Sequence, residues 1–271
     1  MGRIEERFTA LNKQGRKAFV AYLTAGDPSL EKTEELIPAL EAAGVDIIEV
    51  GVPFSDPTAD GPVIQAASQR ALKQGANLEK ILAMIVRLRR FSGIPIVLFT
   101  YYNPILSYGP ERFAADAADA GVDGILVVDL PPEESDELRR YSDPAGLAFI
   151  TLIAPTTDPK RARKILRGAT GFVYYISVTG VTGTAAPRPD DVRQDVERLK
   201  KMTVLPVAVG FGISTPAQAA TIALLADGVV VGSALVRLIG EKREGTGLIG
   251  DVSFFAEEIR RAIDAATTGT P

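Results

Sequence analysis

The chain has 271 residues, 46% of them apolar and 24% charged, with a formal net charge of −4. That length suits one α/β barrel, the apolar share can fill its core, and the acidic balance argues against a nucleic-acid partner. Neither cysteine nor histidine occurs. Disulfides, thiolate chemistry, Ser–His triads and His or Cys metal sites are thereby excluded, leaving Asp, Glu, Lys and Tyr as acid–base groups.

The first eight residues, Met-Gly-Arg-Ile-Glu-Glu-Arg-Phe, carry no apolar signal core, so a cytoplasmic protein is expected. Ile4, Phe8 and Leu11 share a helical face and predict a helix ahead of the first strand, plugging the barrel bottom. Eight short runs rich in Val, Ile, Leu and aromatics follow, at 18–26, 45–53, 95–103, 124–131, 148–155, 171–179, 204–212 and 228–236. Their near-continuous apolarity marks strands buried on both faces, and each is far shorter than the roughly 20 residues of a membrane span. Helical patterns separate them, such as Leu30, Leu36, Ile37 and Leu40, or Leu78, Ile81, Leu82, Ile85 and Leu88. Asp27-Pro28, Asp158-Pro159 and Thr215-Pro216 read as helix starts, and Gly44, Gly93, Gly121 and Gly168 as stops. Eight β-then-α units predict a single (β/α)8 (TIM) barrel domain over 1–271 with an extra N-terminal helix. The second unit is about twice as long as the others and holds the turn-rich stretch 53–62 with room for two helices. A second irregular stretch, 180–189, follows the sixth strand. Both extended loops fall at the C-terminal face, where barrel active sites are built.

Glu49 sits within Val-Asp-Ile-Ile-Glu-Val-Gly-Val (45–52). If Ile48 and Val50 face the helices, Glu49 shares the inward phase with Ile47 and Gly51. A carboxylate desolvated there has its pKa raised toward working pH, as a general acid–base needs. The competing reading is a buried ion pair with an arginine, but no strand carries Arg or Lys in its inward phase. Asp56 and Asp60 lie in the long loop, where each could be a turn or cap residue, or could reach over the mouth beside Glu49. Gly180 and Gly183, Gly210 and Gly212, and Gly232 with Ser233 close the last three strands. Ser233 opens what reads as one short helical turn. Glycines let backbone N–H groups close on an anion, and barrel phosphate sites lie after strands seven and eight. Tyr22, Phe99, Tyr101, Tyr174 and Phe211, near the C-terminal strand ends, are core layers or walls for a planar ligand. A Schiff-base lysine is not available, since every lysine falls in a helix, loop or strand edge.

Six segments then carry a resemblance: Tyr22-Leu-Thr-Ala-Gly-Asp-Pro28, Ile48-Glu-Val-Gly-Val-Pro-Phe-Ser-Asp-Pro57, Ala59-Asp-Gly-Pro62, Asp129-Leu-Pro-Pro132, Gly180-Val-Thr-Gly183 and Val209-Gly-Phe-Gly-Ile-Ser214. Across nearly the whole chain it resembles the tryptophan synthase α subunit. The resemblance implies cofactor-free retro-aldol cleavage of indole-3-glycerol phosphate to indole and glyceraldehyde 3-phosphate. It implies that Glu49 protonates the ring carbon and helps deprotonate the glycerol hydroxyl, that Asp60 accepts the indole N–H, and that Tyr174 stands beside the reacting hydroxyl. Phe99, Leu126, Leu152 and Phe211 match the indole pocket. Thr182, Gly183, Gly212, Gly232 and Ser233 match the mobile loop and phosphate site. Three departures stand out: Val178 where many members are basic, Thr-Ala-Ala-Pro after Gly183 in place of a charged run, and Tyr22, whose hydroxyl replaces an apolar wall. The resemblance also implies a β-subunit partner in an α2β2 complex, which would carry pyridoxal phosphate. The partner surface would include 53–57, 103–104 and 129–132, with Phe54 offered to solvent. A stand-alone indole-glycerol-phosphate lyase would use the same residues, and a non-catalytic barrel would have lost Glu49 and Asp60.

Overall fold

The computed structural model describes residues 2–176, 188–210, 212–243 and 245–268. Within them nine parallel strands form the wall of a barrel: β1 (Ala18–Thr24), β2 (Ile47–Gly51), β3 (Ile96–Thr100), β4 (Gly124–Val127), β5 (Ala148–Phe149), β6 (Thr151–Ile153), β7 (Val173–Ile176), β8 (Val207–Gly210) and β9 (Gly228–Val231). They are ordered β5-β4-β3-β2-β1-β9-β8-β7-β6, so the sheet begins and ends on neighbouring pieces of chain. The fifth expected strand is therefore present in two halves. Its first half pairs with β4 and its second with β7. The Ile150 N–H still donates to the Ile125 carbonyl at 2.9 Å, so the chain itself spans the seam. Where it changes partners, the Thr151 hydroxyl is buried without one among the described residues.

Strand alternation sorts side chains into two clusters, as the period of two requires. Val20, Ile47, Val97, Leu126, Ala208 and Val230 fill the barrel interior. Ile48 and Val50 point the other way, against Leu36, Ile37 and Leu40 of α2 (Leu30–Ala42) and Ile81 and Ile85 of α4 (Leu78–Leu88). Each such side chain stabilises by ~1.5–3 kcal/mol on burial, so the outer layer is the main source of stability. Helix α1 (Arg3–Lys13) closes the bottom with Ile4, Phe8 and Leu11, and the Phe8 and Phe172 rings lie 5.7 Å apart. This is the plug that the sequence predicts.

The long second unit does hold two helices, α3 (Pro62–Lys73) and α4. Asp158 and Thr215 cap helices with proline at the first position, Thr215 in a reciprocal capping box with Gln218. Asp27-Pro28 does not. The α2 cap is Ser29, whose hydroxyl accepts the Lys32 N–H, while Asp27 turns away to a bidentate bond with Arg70 of α3, both contacts 2.7 Å. Gly121 ends its helix in the left-handed conformation that only glycine adopts without strain. Gly93 lies beyond the end of α4, which stops at Leu88.

Three aspartates at the strand N-termini repeat one arrangement that sequence reading did not anticipate. Asp46 gives its N–H to the Phe19 carbonyl and takes the Phe19 N–H on its carboxylate, both at 2.8 Å. Asp123 does the same with Ile96, and Asp227 with Val207. Each also meets a cation: Arg260 at 3.1 Å, Arg89 at 2.8 Å and Lys200 at 2.8 Å respectively.

Candidate active site

At the opposite rim, β2 carries Glu49 into the barrel in register with Tyr22 of β1 and Val97 of β3. The residue is 0% exposed, and neither carboxylate oxygen has a hydrogen-bond partner among the described residues. Burial alone pushes its pKa from 4.5 to about 8. A group in this state is a protonated carboxylic acid at neutral pH that can release its proton and take one back.

Glu49 opens into a cleft of about 530 Å³, counted out to its mouth and within the range of small-molecule sites. Asp60 lies on the same wall, delivered by the loop that follows β2. Burial raises its pKa from 3.8 to about 6, and the neighbouring Tyr101 hydroxyl opposes the rise. The loop is tied at several points. Its Ala59 N–H donates to the Tyr101 hydroxyl at 2.9 Å, and Gln65 Nε2 donates to the Asp60 carbonyl at 2.8 Å. Phe54, expected to face solvent, is half-buried, with its ring 5.3 Å from that of Tyr101. Asp56 is exposed and does not line the cleft.

Two tyrosines depend on glycines in the next strand. A Cβ on Gly51 would come within 2.2 Å of the Tyr22 hydroxyl, and one on Gly210 within 2.2 Å of the Tyr174 hydroxyl. Each phenol thus lies over a backbone that only glycine leaves open. Both tyrosines are buried and line the cleft, and burial first, then the nearby carboxylates, lifts their pKa values. They are neutral hydrogen-bond donors at every working pH. Phe99 meets Tyr22 edge-on, centroids 5.2 Å apart and planes at 79°.

The far end of the cleft is backbone. Gly212 lines the cleft at φ +76°, a left-handed geometry in which an L side chain would be strained. Gly232 and Ser233 lie opposite, at the start of α11 (Ser233–Lys242), which is ten residues long rather than one turn. The first N–H groups of a helix have no intrahelical partner, and its dipole places partial positive charge there. An anion fits at this end without a lysine.

Tyr22, Glu49, Asp60, Phe99, Tyr174, Gly212, Gly232 and Ser233 are therefore brought together in one cleft. Tyr101 stands behind the Asp60 loop, and Leu126 is sealed in the interior below. Leu152, beside Tyr174 in register, faces a neighbouring cleft between β4 and β6. Val178, Thr182, Gly183 and Phe211 lie outside the described residues. Sequence reading missed Ile64, Ile213 and Val230, which add apolar wall. Val230 could have been found from its inward phase; Ile64 could not, because its position depends on how α3 leaves the loop. It also missed Asp27–Arg70, which pins α3 to the end of β1.

Comparison with known proteins bears on this arrangement. The family profile described as tryptophan synthase alpha chain matches residues 8–263. The tryptophan synthase alpha chain of Geotalea daltonii is 54% identical over 98% of this chain and 100% of its own length. That of Geobacter sulfurreducens is 54% identical over 97% and 99%. The crystal structure of tryptophan synthase subunit alpha from Legionella pneumophila superposes with a TM-score of 0.91 at 38% identity, covering 98% of this chain and 99% of that one. With a barrel whose mouth pairs a buried, uncompensated glutamate with a loop aspartate, and with relatives matched end to end, the chain belongs to the tryptophan synthase alpha chain family.

Proposed function

We propose that Glu49 and Asp60 carry the α reaction of tryptophan synthase, the cleavage of indole-3-glycerol phosphate to indole and glyceraldehyde 3-phosphate that family membership assigns to this chain. The observation that carries the residue roles is the pair of unequal carboxyls in one cleft: about 8 for Glu49, about 6 for Asp60. Two groups pushed apart in this way hold opposite protonation states near neutrality. Glu49, protonated, gives its proton to the indole carbon that bears the glycerol chain. The ring becomes a cationic indolenine, and ionised Asp60 accepts the ring N–H and stabilises the charge in a site largely closed to water. Glu49, now a carboxylate, takes the proton of the adjacent glycerol hydroxyl. The C–C bond breaks, its electron pair returns to the ring, and indole and the aldehyde separate with Glu49 protonated again. Tyr174 donates to the reacting hydroxyl. Tyr22, Phe99 and Ile64 enclose the ring, and the amides at Gly212 and Ser233 hold the phosphate.

The chain pairs with the tryptophan synthase β subunit. We place the pyridoxal phosphate of the overall synthase in that partner and the complex in the cytoplasm; among the described residues no helix is long and apolar enough to cross a membrane. Indole release from the purified chain, with and without the β subunit, tests both halves of this reading. The isolated chain is expected to be slow, and saturating partner to raise the rate by at least about tenfold, equivalent to ~1.4 kcal/mol of barrier. A partner-free rate already equal to that of the complex would mark a stand-alone lyase instead. The pH profile of kcat/KM is expected to be bell-shaped. Activity falls below about pH 6 as Asp60 gains a proton, and above about pH 8 as Glu49 loses its own. A flat profile across that window would remove the paired roles.

A further inference from the structure

Between Val52 and Gly61 the chain has no strand or helix, yet it must hold one carboxylate at a fixed place in the cleft. Its own turns are few: the Thr58 N–H meets the Asp56 carbonyl at 3.0 Å and the Asp60 N–H meets the Pro57 carbonyl at 3.2 Å. One side chain from elsewhere touches it at both ends. Tyr101, at the end of β3 and 3% exposed, sets its ring against Phe54 and takes the Ala59 N–H on its hydroxyl oxygen. The same hydroxyl stands beside the Asp60 carboxylate and favours its ionised form. A phenol oxygen accepts with its lone pairs while its proton is free to donate, so one atom serves backbone and carboxylate together.

We infer that Tyr101, which does not line the cleft, is the positioning residue for Asp60: its ring seats the loop and its hydroxyl aims the carboxylate. The inference rests on the role of Asp60 proposed above and goes beyond it. Burial keeps the phenol protonated, so it is a donor to Asp60 throughout the working range. The titratable groups facing Asp60 are Tyr101 from β3 and Tyr22 from β1, with Glu49 from β2 lining the same cleft. Glu49 is shifted by burial alone, and Tyr22, whose pKa Tyr101 helps to raise, stays a protonated phenol without that hydroxyl because burial is the larger cause. A displaced catalytic group loses rate steeply, about 10²-fold for roughly 1 Å, whereas ground-state binding through ring and phosphate is not affected.

The test is Tyr101→Phe, which keeps the ring and removes the hydroxyl. The expected result is a kcat lower by about 10- to 100-fold, with KM for indole-3-glycerol phosphate changed by less than about twofold. The acid limb of kcat/KM should also move to higher pH, because Asp60 loses a donor that favours its charge. A general loosening of the loop would lower kcat and leave that limb in place. Wild-type kcat, or a lower kcat with an unmoved limb, therefore overturns the inference. Asp60→Asn is measured alongside. If it is inactive while Tyr101→Phe is normal, only the positioning role falls; if it is fully active, the role of Asp60 falls and takes the inference with it. Should Tyr101→Phe not fold, Phe54→Leu loosens the ring's seat and keeps the hydroxyl. It should give a smaller shift of the same sign, and an unmoved limb overturns the inference equally.

Discussion

Asp46, just before β2, and Glu49 within it are three residues apart and both buried, yet their surroundings are opposite. Asp46 has a backbone N–H at 2.8 Å, Arg260 at 3.1 Å and Arg7 at 3.7 Å. Even so, burial holds its carboxyl above the ordinary value, with those partners opposing the rise. Glu49 has no partner among the described residues, and burial acts on it unopposed. At the N-terminal rim, then, buried charge is compensated and ties strand to strand. At the C-terminal rim Asp27 is compensated by Arg70, but Glu49 is not, which lowers stability and sets a pKa suited to proton transfer. The bottom face of a barrel serves stability and the top face chemistry; here the division is made by where cations are placed.

The largest break in this comparison should come from Glu49→Gln. It removes the transferable proton and keeps the shape, so turnover should fall by about 10²–10⁴-fold, measured as indole release. Retention of more than half the wild-type kcat would end the assignment. Stability should move the other way. Because the folded state holds this proton more tightly than the unfolded chain, the stability it contributes is full below the ordinary value of 4.5 and is lost as pH rises through about 8. At pH 7 the cost is about 3 kcal/mol, so Glu49→Gln should melt higher than wild type near pH 8 and lose that advantage near pH 4.

Asp46→Ala tests the other rim. It leaves the buried Phe19 N–H without its acceptor and Arg260 with Asp264 as its remaining carboxylate, which costs about 1–3 kcal/mol. Chemical denaturation should show that loss while kcat at a temperature where the variant is folded stays close to wild type. A variant that keeps its stability but loses turnover would erase the distinction between the rims. A smaller effect is expected at Gly212, where φ is +76°. Gly212→Ala strains the turn and misdirects backbone donors, so affinity for glyceraldehyde 3-phosphate should fall by roughly tenfold, the worth of one hydrogen bond, with indole affinity little changed. Equal weakening of both ligands would move the phosphate elsewhere. Smallest of all should be Lys164→Ala, which breaks an exposed pair with Glu133 and should change neither stability by more than about 0.5 kcal/mol nor rate.

Much of this was legible in the chain itself, for a physical reason. Side-chain phase is a local property: once 47–51 is a strand, Ile48 and Val50 must face one way and Ile47, Glu49 and Gly51 the other. Phase, apolar runs and caps such as Thr215 need only neighbours in sequence, so the barrel, its plug and the inward glutamate follow from them. What a side chain meets across the fold is not local. Asp27-Pro28 has the form of a helix start, but a bond across 43 residues to Arg70 claims Asp27 and leaves the cap to Ser29. Asp46 is paired across 214 residues with Arg260. The fifth strand divides at Ile150 because the barrel must close there on two different neighbours, a demand that no local pattern records. Tyr101 reads as a pocket wall by its place at a strand end, and only the path of the 53–60 loop over it makes it a support for Asp60. The sequence alone determined which residues point into the barrel; the tertiary structure decided which of them are compensated, because partners are chosen by distance in space.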